Sequence, residues 1–167
     1  MKNFSLFLYF GCCFFVPLQK ILLSMEEKVK FYEQQFPADV TMIVTPVRIE
    51  DVGGTRFFEG EALWDTGSQR TVIAECVAKT LKLDTLPFGR MDTPAGETDV
   101  QMGAVLVFPG NVKRFVPVIT GVMGGAYRKH DCIIGMDVIR RGDLTLRHDG
   151  EMLVFRFDFG DNFKQRR

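Results

Sequence analysis

The chain has 167 residues, 46% apolar and 25% charged, a balance that fits one globular core and is too short for two. Lysine plus arginine and aspartate plus glutamate number 21 each, so the formal net charge is zero and no basic face for nucleic acid is expected. The two histidines, His130 and His148, lack ligand spacing with the four cysteines, so neither a metal site nor a disulfide framework is expected, and no cofactor motif is present.

In chain order, Lys2 precedes an apolar run from Phe4 to Val16, broken by Pro17 before Ile21-Leu22-Leu23. This run resembles the charged start and apolar middle of a signal peptide, is short for a membrane span, and lacks a small-x-small cleavage site. Two readings are open for residues 1–24. They are a leader or anchor, which implies export or membrane association, or translation begins at Met25, which implies a cytoplasmic protein. Residues 25–38 read as a polar connecting segment, residues 39–159 as the folded domain, and residues 160–167 as a polar tail that includes Lys164, Arg166 and Arg167.

Within the domain, Val40 to Ile49 is rich in β-branched residues, with Pro46 favouring an edge position. Gly53-Gly54 predicts a turn, and Arg56 to Trp64 returns as the second arm of a hairpin. A short strand through Thr71-Val72-Ile73 leads to one helix, Ala74 to Leu81, with Val77 and Leu81 spaced for its inner face. Met91 to Asp99 reads as an exposed hairpin loop. Val100 to Phe108 and Val112 to Ile119 form a β pair around Pro109-Gly110-Asn111. Cys132-Ile133-Ile134-Gly135 precedes a short helical turn that Arg141-Gly142-Asp143 closes, and a last hairpin joins Thr145-Leu146-Arg147 to Leu153–Phe157 across Asp149-Gly150. Cys76 and Cys132 stand in apolar contexts and read as buried thiols, while His148 reads as a surface residue. Short strands, turn signals and one clear helix predict a small all-β, barrel-like domain.

Asp65-Thr66-Gly67-Ser68 carries the chemistry. It follows the apolar Ala62-Leu63-Trp64 and precedes a β-branched run. A carboxylate at the end of a buried strand is costly unless donors meet it or it does chemistry. Gly67 allows close backbone approach, and Thr66 and Ser68 supply hydroxyls that can hold the carboxylate. Alone, Asp-Thr-Gly is a common turn tripeptide. Its weight rises with the second segment, Asp131-Cys132-Ile133-Ile134-Gly135-Met136-Asp137-Val138-Ile139.

In that order the pieces resemble a retropepsin, the single-lobe aspartic protease family that includes the retroviral proteases, over residues 39–159. The resemblance implies a small closed acid-protease barrel with one or two short helices. It also implies peptide hydrolysis with Asp65 as the catalytic group, Thr66 bracing an aspartate dyad, Gly67 offering backbone to substrate, and Ser68 hydrogen-bonding the carboxylate. From that last bond a more acidic optimum is expected than alanine at position 68 would give. Pro94, Ala95 and Gly96 fall where a retropepsin carries its flap and are candidate substrate-binding residues.

The mechanism needs two aspartates and the chain has one Asp-Thr-Gly, so a C2 homodimer acting on a peptide or protein substrate is expected. Gln69 and Met136 stand where viral members have an Asp and an Arg that form an ionic clamp, which points to a cellular subtype. The Phe-rich strand Phe155, Phe157, Phe159 is a candidate dimer strand or a core strand. An alternative to the enzyme is a peptide-binding or assembly module that keeps the fold without activity.

Overall fold

The computed structural model describes residues 31–92, 98–121 and 129–160. The apolar segment 1–24, the residues up to 30 and the tail beyond Gly160 lie outside the described residues. Among the described residues, ten strands and two short helices follow one another: β1 (Phe31–Pro37), β2 (Val44–Glu50), β3 (Phe57–Trp64), β4 (Val72–Ala74), α1 (Glu75–Leu81), β5 (Thr85–Asp92), β6 (Thr98–Phe108), β7 (Val112–Gly121), β8 (Cys132–Ile134), α2 (Met136–Ile139), β9 (Asp143–Asp149) and β10 (Met152–Asp158).

Six strands close a barrel in the order β2-β3-β8-β4-β7-β6, because β2 pairs with β3 on one side and with β6 on the other. Closure leaves those strands without open edges over their paired lengths. Only residues 48–50 of β2 meet β6, so Pro46 sits opposite Glu61 in the stretch that has β3 as its one neighbour. That is where a missing backbone N–H is tolerated. The small closed barrel with two short helices is the architecture expected of the sequence.

Beside the barrel lies an antiparallel sheet of order β1-β10-β9. Phe31–Pro37, assigned from sequence to the connecting segment, is its first strand, in continuous register from Phe31 opposite Asp158 to Pro37 opposite Met152. Its inward positions Tyr32, Gln34 and Phe36 alternate with exposed ones, and the polar Gln34 masks that period of two. The β9–β10 hairpin turns at Gly150-Glu151, one residue later than expected, with Gly150 at φ +61°.

The two sheets share one core, to which β10 and the residue just after it supply three of the aromatic rings. Phe155 and Phe157 are fully buried, and Phe159 packs on Phe108 and Phe157. Both edges of β10 are taken, by β1 and β9. The candidate dimer strand is therefore a core strand, with no backbone edge left for a second chain. Helix α1 buries Val77, Ala78 and Leu81 as its spacing requires. Cys76, one step round the helix from Val77, is exposed rather than buried, whereas Cys132 is fully enclosed and His148 is exposed.

Candidate active site

Strand β3 ends at Trp64, whose indole joins the barrel to the outer sheet. Its ring lies 5.0 Å from Phe155 and 4.8 Å from Phe157, and its Nε1–H donates to the buried Thr45 hydroxyl at 2.9 Å. A buried indole needs that acceptor. The neighbouring backbone is held as firmly: Trp64 N–H donates to the Ile43 carbonyl at 2.9 Å and Asp65 N–H to the Ile134 carbonyl at 3.0 Å. Asp65 thus begins a loop at the point where β3 and its parallel neighbour β8 end together.

Asp65 is partly buried, and its Oδ1 accepts the N–H of Gly67 at 2.8 Å. The carboxylate folds back over its own loop, with Ser68 N–H donating to the Asp65 carbonyl at 3.2 Å. Thr66 and Gly67 are exposed. The Ser68 hydroxyl does not meet the carboxylate. It donates to the Arg70 carbonyl at 2.7 Å, and a hydroxyl has one proton to give. The expected Ser68–Asp65 bond is replaced by a brace within the loop, and the acidic shift argued from it loses its basis.

The loop is fastened on its far side by the segment after β8. Met136 N–H donates to the Ser68 carbonyl at 2.8 Å. Gly135 lies so close to the loop that a Cβ there would sit 2.4 Å from the Arg70 carbonyl oxygen. Its φ of −93° suits any residue, so space and not conformation demands glycine. Beneath, the buried Thr71 and Asp137 form a polar joint. Thr71 donates its hydroxyl to Asp137 Oδ1 at 2.7 Å and its N–H to Oδ2 at 3.1 Å, and the same hydroxyl accepts Gly135 N–H at 3.2 Å. Neither residue stands out as a site residue in the sequence. The available signal was a short carboxylate two positions beyond Gly135 and a hydroxyl three positions beyond Ser68.

Asp131 makes a second joint, accepting Glu61 N–H at 3.0 Å against Gly60, where a Cβ would lie 2.3 Å from the carboxylate. Asp131 and Asp137 are thereby committed to backbone groups of β3 and of the loop. Gln69 and Met136, the two positions of the missing ionic clamp, line one cleft of about 310 Å³ with Arg70, Asp137 and Arg140. The uncharged Thr71 hydroxyl, bonded to Asp137, links loop to helix there.

The candidate flap residues Pro94, Ala95 and Gly96 lie outside the described residues. The strands on either side, β5 and β6, pair antiparallel up to Asp92 opposite Thr98. Among the described residues no group of three or more His, Cys, Asp and Glu side chains could hold a metal ion.

No family model and no curated protein matches the chain. Among solved structures, a retropepsin-like aspartic protease from Rickettsia conorii matches with a TM-score of 0.50 at 13% identity, over 78% of this chain and 95% of its own. The retroviral protease-like domain of Ddi1 from Leishmania major matches with a TM-score of 0.40 at 16% identity, over 70% of this chain and 95% of its own. The likeness to the first is one of fold, and in fold this chain is similar to the retropepsin-like aspartic proteases.

Proposed function

We propose that the chain is an aspartic endopeptidase in which two copies each contribute one Asp65 to a shared dyad. The observation that carries this reading is the setting of Asp65. It stands at the end of a barrel strand, with its carboxylate on the Gly67 N–H and its loop fastened on both sides by Ile134, Gly135 and Met136. A catalytic carboxylate must be held still by a rigid shell, and this one is. The fold shared with a retropepsin-like protease supports the same assignment.

Two carboxylates a few ångströms apart cannot both ionise freely, so the dyad shares one proton and titrates as a pair. The ionised member takes a proton from a water molecule, which attacks the scissile carbonyl, and the protonated member hydrogen-bonds the carbonyl oxygen as it gains charge. Exposed Thr66 is available to the partner's loop, and exposed Gly67 leaves backbone open to an extended peptide. Pro94, Ala95 and Gly96 are assigned to cover that peptide and exclude water.

The Ser68 geometry favours a second reading, an inactive peptide-binding module, because the hydroxyl is withdrawn from the carboxylate. Asp65→Asn separates the two. The endopeptidase loses peptide cleavage with its fold intact, whereas the module has no cleavage to lose and keeps its peptide affinity.

A further inference from the structure

The cleft between the Asp65 loop and α2 holds two unpaired positive charges. Among the described residues Arg48, Arg56, Arg147 and Arg156 each meet a carboxylate, and Arg141 Nε–H donates to the Asp137 carbonyl at 2.8 Å. The guanidinium groups of Arg70 and Arg140 have no hydrogen-bond or ion-pair partner among the described residues, and both line this one cleft of about 310 Å³.

The one acid in the cleft, Asp137, is buried and already bonded. Its Oδ1 accepts the Thr71 hydroxyl and its Oδ2 the Thr71 N–H. The other lining side chains, Gln69 and Met136, are uncharged. Two cations thus face a single carboxylate that is held from beneath, so the cleft is net positive and favours an anion. Partly buried Arg70 stands on the loop side and exposed Arg140 on the α2 side. A guanidinium presents paired N–H donors that match the two oxygens of a carboxylate.

Both arginine stems leave fixed backbone. The Arg70 carbonyl accepts the Ser68 hydroxyl, and the Arg70 backbone lies against Gly135. Arg140 N–H donates to the Met136 carbonyl at 3.2 Å, at the end of a helix anchored by buried Val138 and Ile139. An anion entering the cleft has no backbone left to order.

The cleft is also within reach of a peptide lying on Asp65. Arg70 follows Asp65 by five positions, which span at most about 18 Å of extended chain. The Ser68 N–H bond to the Asp65 carbonyl shortens that path. An extended peptide rises about 3.3 Å per residue and turns alternate side chains to one face. A substrate side chain within about five positions of the scissile bond can therefore enter the cleft, while its neighbours in sequence point away.

We propose that Arg70 and Arg140 form a carboxylate pocket, so that the peptides taken by this chain carry aspartate or glutamate close to the cut. The proposal rests on the endopeptidase reading and names its substrate class. Arg70 and Arg140 set specificity and take no part in the chemistry at Asp65. In a shared-dyad dimer each copy brings one cleft, so the acidic positions recur at matching distances on both sides of the cut.

The test is the sequence profile of cuts made in a degenerate dodecapeptide library by the full chain, wild type beside Arg140→Glu, Arg70→Gln and the double exchange Arg70→Glu with Arg140→Glu. Asp and Glu should be enriched about fivefold over Asn and Gln, at one position or at two positions two apart on each side of the cut. The enrichment should fall in each single variant and give way to Lys and Arg in the double exchange. It should also shrink as salt is raised towards 1 M, where the screening length is about 3 Å. Arg140→Glu changes an exposed side chain and keeps the test open if an Arg70 variant does not fold. Cuts without acidic enrichment, or enrichment that survives the double exchange, overturn the carboxylate pocket and leave the endopeptidase standing. If the wild type makes no cut, binding of fluorescein-labelled Glu-containing and Gln-containing dodecapeptide libraries to the same chains takes its place. A Glu preference lost in the double exchange then upholds the pocket and removes the endopeptidase, and equal binding of the two libraries overturns both.

Discussion

Thr71→Val isolates the joint beneath the Asp65 loop, because the side chains have nearly the same shape and differ by one hydroxyl. Thr71 is fully buried and Asp137 is 9% exposed, so water does not replace what is lost. The substitution removes the 2.7 Å bond to Asp137 Oδ1 and the acceptor for Gly135 N–H at 3.2 Å. A hydrogen bond to a charged group contributes about 1.5–3 kcal/mol, and an orphaned buried N–H costs about 1–3 kcal/mol. The two overlap because one hydroxyl serves both, so a loss of about 3 kcal/mol is expected. For a chain of this length that corresponds to a fall in Tm of about 6–12 °C. Urea unfolding should show a lower midpoint at an unchanged slope. Thr71→Ser keeps the hydroxyl and gives up one methyl, which costs about 1 kcal/mol. If Thr71→Val loses less than about 1 kcal/mol, or no more than Thr71→Ser, the joint does not hold the loop as argued.

Other expectations follow from individual contacts. Gly135→Ala should destabilise the chain by at least about 1–3 kcal/mol in thermal unfolding, since its Cβ would meet Arg70 backbone that cannot rotate away. Ser68→Ala should leave the acidic limb of the pH–rate profile in place, because the hydroxyl faces the Arg70 carbonyl; a clear shift would return Ser68 to the carboxylate. Under native conditions Cys76 should alkylate readily and Cys132 should resist, since burial raises the Cys132 thiol far above its ordinary pKa, and equal labelling would contradict that. The Asp51 carboxyl is held well below the usual carboxylate range, first by the Arg56 backbone N–H and then by the Thr55 hydroxyl. Its stabilisation is thus complete above the unfolded value of about 3.9 and is lost as the pH falls through and below it. The stability gap between wild type and Asp51→Asn should narrow on acidification below about pH 4, and a constant gap would refute the assignment.

Much of this architecture is legible in the sequence because turn chemistry and period-two patterning act locally. The hairpins at Gly53-Gly54 and Pro109-Gly110-Asn111 and the inner face of α1 are examples, and positive φ at Gly54, Gly110 and Asn111 explains the turn residues there. Strand β5 is not legible. Pro87 and Gly89 interrupt its pattern, and its pairing with β6 shifts register between Thr85 and Arg90 to accommodate them. Strand β1 is hidden by Gln34, a polar residue at an inward position, which breaks the period-two pattern. In the Asp65 loop, the Gly67 N–H that meets the carboxylate is legible in the tripeptide, but the direction of the Ser68 hydroxyl is not, since a carboxylate and a carbonyl are both acceptors for it. Thr71 and Asp137 are far apart in sequence, and no spacing rule joins them before the fold does.

The measurement that bears most directly on the central claim is proteolysis of an unbiased peptide library by the full chain, wild type beside Asp65→Asn, from acid to neutral pH. Cleavage by the wild type alone, with both proteins folded, is the predicted result. Cleavage by neither, from a folded and dimeric wild type, or equal cleavage by both, would contradict it.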